Sequence, residues 1–186
     1  LTFVVAGGGF AGVELLGGVN DFARGITAYY PNINPQDVRT VLVHSRDAIL
    51  PELSRELGEF AREKLAERGV EFQLKTRVTG ARPGFVQVGD SEIPCHTFVW
   101  TAGNRPSPIM GMLGLSLTKR GQLEVTPELH SPQAPFVWAA GDCAQIPDLT
   151  TDGFCPPTAQ HALREGKQVG KNVAAAIKGE PLKPFK

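Results

Sequence analysis

Three glycines near the start of the chain have the spacing of a phosphate-binding turn. Gly7, Gly9 and Gly12 fit the pattern GxGxxG between an apolar run and a helix-forming segment. In such a turn the first glycine permits the tight bend, the second lets a pyrophosphate approach the backbone, and the third lets the helix pack closely. The amides and dipole of the helix N-terminus attract the phosphates. The spacing therefore favours a dinucleotide site over the alternative, a glycine-rich turn without a ligand.

The end of the second predicted strand departs from this fingerprint. An acid that binds the adenine ribose 2′-hydroxyl is expected there, about 20 residues after the turn. The strand ends instead in His44, Ser45 and Arg46. One interpretation is that Arg46 with Ser45 receives a 2′-phosphate, since a guanidinium matches phosphate geometry, which favours NADP slightly. The other is that Arg46 is solvated and that Asp47 or the backbone binds the hydroxyl.

Two carboxylates are further candidates for a role in binding or catalysis. Glu14 is predicted in the first turn of the first helix, where the positive helix end favours a carboxylate. It could equally contact the nicotinamide end of a dinucleotide, and spacing does not choose between these interpretations. Asp142 follows a predicted buried strand, FVWAAGD, at whose end a carboxylate can accept hydrogen bonds from hydroxyls.

The elements that must position these residues alternate between strands and helices. Hydrophobic periodicity and turn signals mark their limits. The predicted strands are 2–6, 38–44, 70–74, 97–103 and 136–142, and the predicted helices are 11–23, 55–68 and 159–178. The order predicts an α/β fold with a Rossmann-like parallel sheet and a small antiparallel excursion between residues 78 and 93. Apolar spacing puts Phe22 of the first helix, and Leu163 and Ile177 of the last, toward the core.

Composition and charge exclude several classes of partner. The 186 residues include 19 basic and 19 acidic side chains, so no general charge favours nucleic acid or an anionic surface. No apolar stretch reaches the roughly 20 residues that span a bilayer. Cys95, Cys143 and Cys155 show no CxxC spacing, and neither a disulfide framework nor a metal site is indicated. A cytoplasmic globular protein is expected.

Four segments, in this order along the chain, resemble the FAD-dependent pyridine nucleotide-disulfide oxidoreductase superfamily. They are VVAGGGFAGVE, VWTAGNRPSP, PFVWAAGDCAQIPD and PPTAQHALREGKQVGKNVAAAIKG. Within the superfamily the chain is most similar to type II NADH dehydrogenases, the single-subunit NADH:quinone oxidoreductases. The resemblance implies an enzyme with FAD that takes hydride from NADH or NADPH and passes electrons to an acceptor, a quinone.

The resemblance also implies roles for residues in the first half of the chain. The glycine turn and Glu14 would bind NAD(P)H, and Glu14 becomes a candidate catalytic residue. The chain would leave the nicotinamide domain at Ala102 and Gly103, which match the family's Thr-Ala-Gly segment. Type II enzymes usually carry an acid where this chain has His44, so the choice between NADH and NADPH stays open.

In the second half, the resemblance points to the flavin. Asp142, directly after Gly141, matches the aspartate that binds the ribityl chain of FAD. Gln160 matches the family's AQxxxQQ segment near flavin and quinone and is the second candidate catalytic residue. Arg164 and Glu165 replace the glutamine pair of that segment.

The resemblance divides the chain into two domains. Residues 1–103 would form the NAD(P)H-binding Rossmann domain and residues 104–186 the later half of a flavin-binding α/β domain. Because no second GxGxxG for FAD is present, the chain is expected to be a fragment that is inactive alone. The parent protein is expected to form a homodimer, peripheral on the inner face of the cell membrane. Alternatives are a ferredoxin, rubredoxin or disulfide acceptor, or a non-catalytic dinucleotide-sensing module.

Overall fold

The chain folds into two units, and the boundary between them in the sequence follows Asn104. A computed structural model describes residues 1–186, and they divide into Leu1–Asn104 and Arg105–Lys186. The functional roles predicted for 1–103 and 104–186 stay predictions. No helix in either unit is both long enough and apolar enough to cross a membrane.

A four-stranded parallel sheet forms the centre of the first unit. Its elements in chain order are β1 (Thr2–Ala6), α1 (Phe10–Ile26), β2 (Arg39–Val43), α2 (Arg55–Glu67), β3 (Val70–Gln73), β4 (Val78–Arg82), β5 (Phe85–Val88), β6 (Ser91–Pro94) and β7 (Thr97–Trp100). The sheet order is β3-β2-β1-β7, and each neighbouring pair is parallel. Strands β4, β5 and β6 form a separate antiparallel sheet. The predicted α/β class, with its antiparallel excursion, is confirmed.

Burial on both faces explains why β1 and β2 are continuous apolar runs. Val4 packs on one face with Val41 and with Val86 of the antiparallel sheet. Val5 packs on the other face with Leu16 of α1 and with residues of β2, α2 and β3. Successive side chains of a strand point to opposite faces. The parallel sheet is therefore covered by helices on one side and by β4–β6 on the other.

The buried face of α1 differs from the predicted one. The helix buries Gly12, Leu16, Asn20 and Ala23, whereas Phe22 is 68% exposed, so the prediction for Phe22 was wrong. The polar Asn20 is tolerated in the core because its side chain accepts from Arg24 and from the Thr40 hydroxyl. Because the polar Asn20 lies on the buried face, the pattern of apolar residues indicated a face one position away from the buried one.

The second unit contains little regular structure. Its elements are β8 (Leu123–Glu124), β9 (Ala144–Gln145) and α3 (Ala159–Lys178). The strand predicted at 136–142 is wrong: only Trp138 forms a bridge, with His130, and Gly141–Cys143 is a short 3₁₀ helix. Within this unit no neighbouring strand pairs along the segment, and a strand needs such a partner to satisfy its backbone.

Helix α3 has the predicted limits but buries polar side chains. It ends at Gly179, which adopts the left-handed conformation with φ +70°. Its buried residues are Glu165 and Asn172, while Leu163 and Ile177 are 63% and 82% exposed, so their predicted burial was wrong. The helix packs against irregular segments whose backbone groups need hydrogen-bonding partners, and these two side chains supply them.

Asn172 holds the segment that follows α3. Its side-chain amide donates to the carbonyls of Glu128 and Lys183, at 2.8 Å each, and its oxygen accepts from the Lys183 N–H at 3.0 Å. Two residues later Phe185 is buried, and its N–H donates to the Pro127 carbonyl. One side chain thereby ties the irregular segment to both the helix and the turn at residues 127–128.

Candidate functional site

The glycine turn lies at the carboxyl ends of three neighbouring strands. Ala6, the last residue of β1, pairs with Val43 of β2 on one side and with Trp100 of β7 on the other. The Gly7 N–H donates to the Val43 carbonyl, and the Thr101 N–H donates to the Ala6 carbonyl, both at 2.9 Å. The chain passes to opposite sides of β1, and in such sheets ligands bind outside the carboxyl ends at this switch point.

Gly7 and Gly12 are required by the packing of the turn. Gly7 has φ +124°, and a Cβ there would lie 2.5 Å from the Thr101 hydroxyl oxygen. A Cβ on Gly12 would lie 1.9 Å from the Gly7 carbonyl oxygen. The absence of side chains at both positions lets α1 start directly against the ends of β1 and β7, with or without a ligand.

Gly9 is not required by the packing. Its φ of −81° and ψ of −175° are accessible to any residue, and the nearest atom to a Cβ there is Glu52 Oε1 at 3.4 Å, an ordinary contact. Gly9 is also the N-cap of α1, and this helix start has neither a side-chain cap nor an acid in its first turn. Free amides at the positive end of a helix suit an anion that approaches close to the backbone.

Glu14 lies away from the helix start. Because α1 begins at Phe10, Glu14 is its fifth residue, and the predicted first-turn position was wrong. Its side chain is exposed and takes part in no hydrogen bond or ion pair. Nothing in its surroundings assigns it a structural task, and its catalytic role stays a prediction.

His44 is in contact with the glycine turn. Its Nδ1 accepts from the Gly8 N–H at 3.0 Å, and its ring carbons Cγ and Cδ2 lie 2.7 and 2.8 Å from the position of a Cβ on Gly8. Because Nδ1 accepts, the ring proton is on Nε2, which is buried without a partner. Burial lowers the pKa of His44, the charge of Arg46 lowers it further, and that of Glu52 opposes them. The ring is a neutral donor beside the turn.

Arg46 and Asp47 are exposed and stand outside these contacts. The guanidinium of Arg46 has no hydrogen bond or ion pair, and only its backbone carbonyl is engaged, by the Lys75 N–H. Asp47 lies 3.9 Å from Arg55. The structure brings neither side chain into contact with the glycines, although the charge of Arg46 lowers the pKa of His44 beside them.

Ala102 and Gly103 continue from the carboxyl end of β7. The Ala102 carbonyl accepts from the indole N–H of Trp100 at 2.6 Å, and Gly103 has φ +78°. Thr101 fastens the start of this segment, since its hydroxyl donates to the Ala6 carbonyl. The segment therefore leaves the sheet beside the glycine turn, directly before the division between the two units.

The second unit contains a separate turn built around Gly141. Gly141 has φ +68°, and its N–H donates to Glu165 Oε2 at 2.7 Å. Glu165 is only 3% exposed, whereas the neighbouring Asp142 is exposed and its carboxylate is unpaired. Gln160 is exposed in the first turn of α3, and its side chain forms no hydrogen bond. The structure brings together Gly141, Asp142 and Glu165.

Sequence reasoning missed two carboxylates, Glu165 and Glu52. Glu165 shares a face of α3 with Ala162, Val169 and Asn172, at steps of three and four residues. A carboxylate on a face of this kind indicates that it is buried together with a hydrogen-bond donor. No such signal exists for Glu52, because it lies in a loop.

Comparison with known proteins gives a consistent result. The family model for pyridine nucleotide-disulphide oxidoreductases matches residues 1–166. Type II NADH:quinone oxidoreductases of Haemophilus influenzae and Staphylococcus aureus are 32% and 31% identical over the whole chain. The chain spans less than half of these relatives, 42% and 46% of their lengths.

A solved structure supports the same fold. The reduced CoADR-RHD of Bacillus anthracis is 23% identical and has a TM-score of 0.76, with 100% of this chain and 31% of that chain covered. The sequence resemblance, the parallel sheet with its glycine turn at the switch point, and the family match agree. The chain belongs to the pyridine nucleotide-disulphide oxidoreductase family.

Proposed function

We propose that the glycine turn of the first unit binds NADH or NADPH, and that the protein is a flavoprotein NAD(P)H dehydrogenase. The observation that carries the proposal is Gly9. Neither its backbone angles nor its neighbours require glycine, while the uncapped start of α1 offers free amides beside it. Close approach of a pyrophosphate gives a physical reason for the missing side chain.

The second unit fits part of an FAD site. Asp142 presents an unpaired carboxylate beside Gly141, whose conformation is held by the buried Glu165. A carboxylate of this kind can accept hydroxyl hydrogens of a polyol chain. FAD, when bound, supplies the hydride acceptor and the redox chemistry. The share of this chain is to bind and orient, with residues 1–103 serving the nicotinamide nucleotide and 104–186 the flavin.

The acceptor in this proposal is a quinone. The support is that relatives alignable with the whole chain are named type II NADH:quinone oxidoreductases. Roles for Glu14 at the nicotinamide and for Gln160 near flavin and quinone belong to the same proposal. The proposal also includes a homodimer and peripheral attachment to the inner face of the cell membrane, where the enzyme would reach a quinone.

The sharpest test of nucleotide binding is Gly9→Ala, with Gly18→Ala as matched control. Both changes add one methyl group, at the N-cap of α1 for Gly9 and within the helix for Gly18. A Cβ on Gly18 would have no neighbouring atom within 4 Å. We expect Gly9→Ala to lower the melting temperature by no more than a few degrees, since alanine is a poorer N-cap than glycine, and to weaken NADH binding by about tenfold or more, a loss of about 1.4 kcal/mol. Gly18→Ala should bind NADH as the original chain does. Isothermal titration calorimetry measures both affinities.

Two results would overturn the proposal. If neither NADH nor NADPH binds the unsubstituted chain, the glycine turn has no dinucleotide ligand. If Gly9→Ala binds as tightly as Gly18→Ala, no phosphate approaches Gly9. The redox half is tested separately by the visible spectrum of the purified full-length protein. A colourless protein without NADH oxidation would identify a sensing module instead.

A further inference from the structure

Helix α3 carries a stripe of positive charge along its exposed side. The lysines and arginine of the helix follow one another at steps of three, four and seven residues, which places them on one face. At 1.5 Å per residue, the distance along the helix from the first to the last is about 21 Å. This basic stripe consists of the exposed side chains of Arg164, Lys167, Lys171 and Lys178.

No acidic residue of α3 compensates the charge of the basic stripe. The only carboxylate in the helix is that of Glu165, which is 3% exposed and accepts from the Gly141 N–H. The lysine side chains of the stripe form no hydrogen bond or ion pair, and every ion pair of the structure lies in the first unit. The exposed face of α3 therefore presents free ammonium groups and no anion.

Helix α2 differs from α3 in the arrangement of its charges. Its exposed side chains are of both signs, and ion pairs join Arg55 to Glu59 at 3.0 Å and Lys64 to Glu67 at 2.8 Å. Mixed charges of this kind are typical of a helix face that is exposed to water. The single sign of the charges on α3 indicates instead a surface that is complementary to an anionic partner.

The segment that follows α3 adds to the positive charge. It returns along the helix, because the Lys183 carbonyl accepts from Asn172 at 2.8 Å and the Lys186 carbonyl accepts from Arg164 at 2.7 Å. The side chains of both lysines are exposed. The helix and this segment together contain six lysines and arginines, and their one exposed acid is Glu180. Clusters of about four to eight basic residues on an amphipathic helix are typical of surfaces that bind anionic lipids.

Apolar side chains lie beside the basic stripe. Leu163 and Ile177 are 63% and 82% exposed, and each directly precedes a basic residue of the stripe in the sequence. A Cβ at Gly170, midway between them, would have no neighbouring atom within 4 Å, so this side of the helix is open. A helix of this kind can lie along a membrane surface, with its apolar side chains at the boundary of the hydrocarbon and its ammonium groups at the phosphates.

We propose that the basic stripe of α3 binds the headgroups of anionic lipids and holds the second unit against a membrane surface. The proposal rests on the peripheral attachment proposed above and deepens it, because it names the attaching surface and the class of lipid. A straight stripe of one sign with apolar side chains beside it matches a plane of phosphates over hydrocarbon. Gln160, four residues before Arg164, lies on the same face, so the residue proposed near the quinone would face the membrane.

The test measures flotation of the full-length protein with vesicles of equal parts phosphatidylcholine and phosphatidylglycerol, and with vesicles of phosphatidylcholine alone. It compares the unsubstituted protein with the double variant Lys167→Gln, Lys171→Gln. The matched control is Lys119→Gln, Arg120→Gln, which removes the same charge from an exposed turn of the second unit. Glutamine forms helices about as well as lysine, and melting temperatures verify that each protein is folded.

We expect the unsubstituted protein to bind the vesicles with phosphatidylglycerol about tenfold or more tightly than those without it, and less tightly at high salt, because salt screens the charges. Each lysine near an anionic surface contributes about fivefold to binding, so the double variant in α3 should bind these vesicles about 25-fold more weakly. The control variant should bind them as the unsubstituted protein does.

Two outcomes would overturn the inference and leave peripheral attachment intact. Unchanged binding of the α3 variant would mean that another surface attaches the protein, and equal weakening in both double variants would mean that net charge sets the affinity. If the unsubstituted protein binds neither kind of vesicle, peripheral attachment itself fails. Retention on immobilised polyglutamate would then identify an acidic polypeptide as the partner of the stripe. NADH titration of the same samples tests nucleotide binding independently.

Discussion

The turn at residues 7–12 and the turn at Gly141 are stabilised in different ways. At residues 7–12 the ends of β1 and β7 meet the start of α1, because Gly7 and Gly12 have no side chains. At Gly141 the backbone is held by a side chain that is present, the buried carboxylate of Glu165, 24 residues further on. The first turn depends on packing between backbones and the second on one hydrogen bond, so the two should respond differently to substitution.

The largest effect is expected at Gly12. In Gly12→Ala the new Cβ would lie 1.9 Å from the Gly7 carbonyl oxygen and 2.7 Å from the Thr101 hydroxyl, so α1 must move away from the sheet. We expect a loss of about 3 kcal/mol in the free energy of unfolding, measured by urea titration with circular dichroism. Gly18→Ala in the same helix should gain up to about 1 kcal/mol from helix propensity. Similar stabilities of the two variants would contradict the backbone-packing account.

A smaller loss is expected at Glu165. Glu165→Ala leaves the Gly141 N–H without its acceptor, which costs about 1–3 kcal/mol. Glu165→Gln keeps a side-chain oxygen and should lose less than half as much. Lys167→Ala, an exposed change in the same helix, should alter stability by no more than about 0.5 kcal/mol. If alanine and glutamine at 165 destabilise equally in the same urea titration, the hydrogen bond does not hold the turn.

The smallest effect concerns pH and tests whether the first turn also depends on a side chain. The folded-state pKa of His44 lies below its ordinary value of 6.5. Between those two pKa values the unfolded chain binds more protons, so the free energy of unfolding should fall as pH is lowered below 6.5. Protonation at Nδ1 would also remove the acceptor for the Gly8 N–H.

The measurement for His44 is the urea midpoint between pH 5 and 8 in the original chain and in His44→Asn. The variant cannot titrate at this position, and its side-chain oxygen can still accept a hydrogen bond. The difference between the two profiles isolates His44 from the other three histidines. Parallel profiles would contradict the lowered pKa.

Local signals predicted the first unit well. Apolar runs bounded by turn residues marked β1 and β2, since those strands are buried on both faces of a sheet. The edge strand β3 was marked by Val70 and Phe72, which pack on one face only. Helix α3 was placed correctly because Gly179 is a strong stop. Buried faces were harder to predict. Periodicity counts apolar residues, whereas α1 and α3 turn the polar Asn20, Glu165 and Asn172 inward to satisfy backbone and side-chain groups elsewhere.

The same distinction applies to the site. Gly7 and Gly12 could be identified because their spacing alone encodes the close meeting of strand and helix. His44 was recognised as an unusual residue, but its contact with Gly8 depends on how β2 ends beside β1. Glu52 lies near Gly9 because its loop contains Leu50 in the left-handed conformation, and no pattern in the sequence predicts that conformation.

The anchoring of Lys183 by Asn172 has a consequence for local dynamics. A segment without helix or strand ordinarily exchanges its amide protons with solvent through small, frequent openings. Here the Lys183 N–H is bonded to a side chain that is itself 1% exposed within α3. Its amide can exchange only when its bond to Asn172 opens, which requires the segment to separate from α3. The irregular segment is thereby expected to open together with α3. The Lys183 amide proton should exchange in D₂O as slowly as the backbone amide protons of α3.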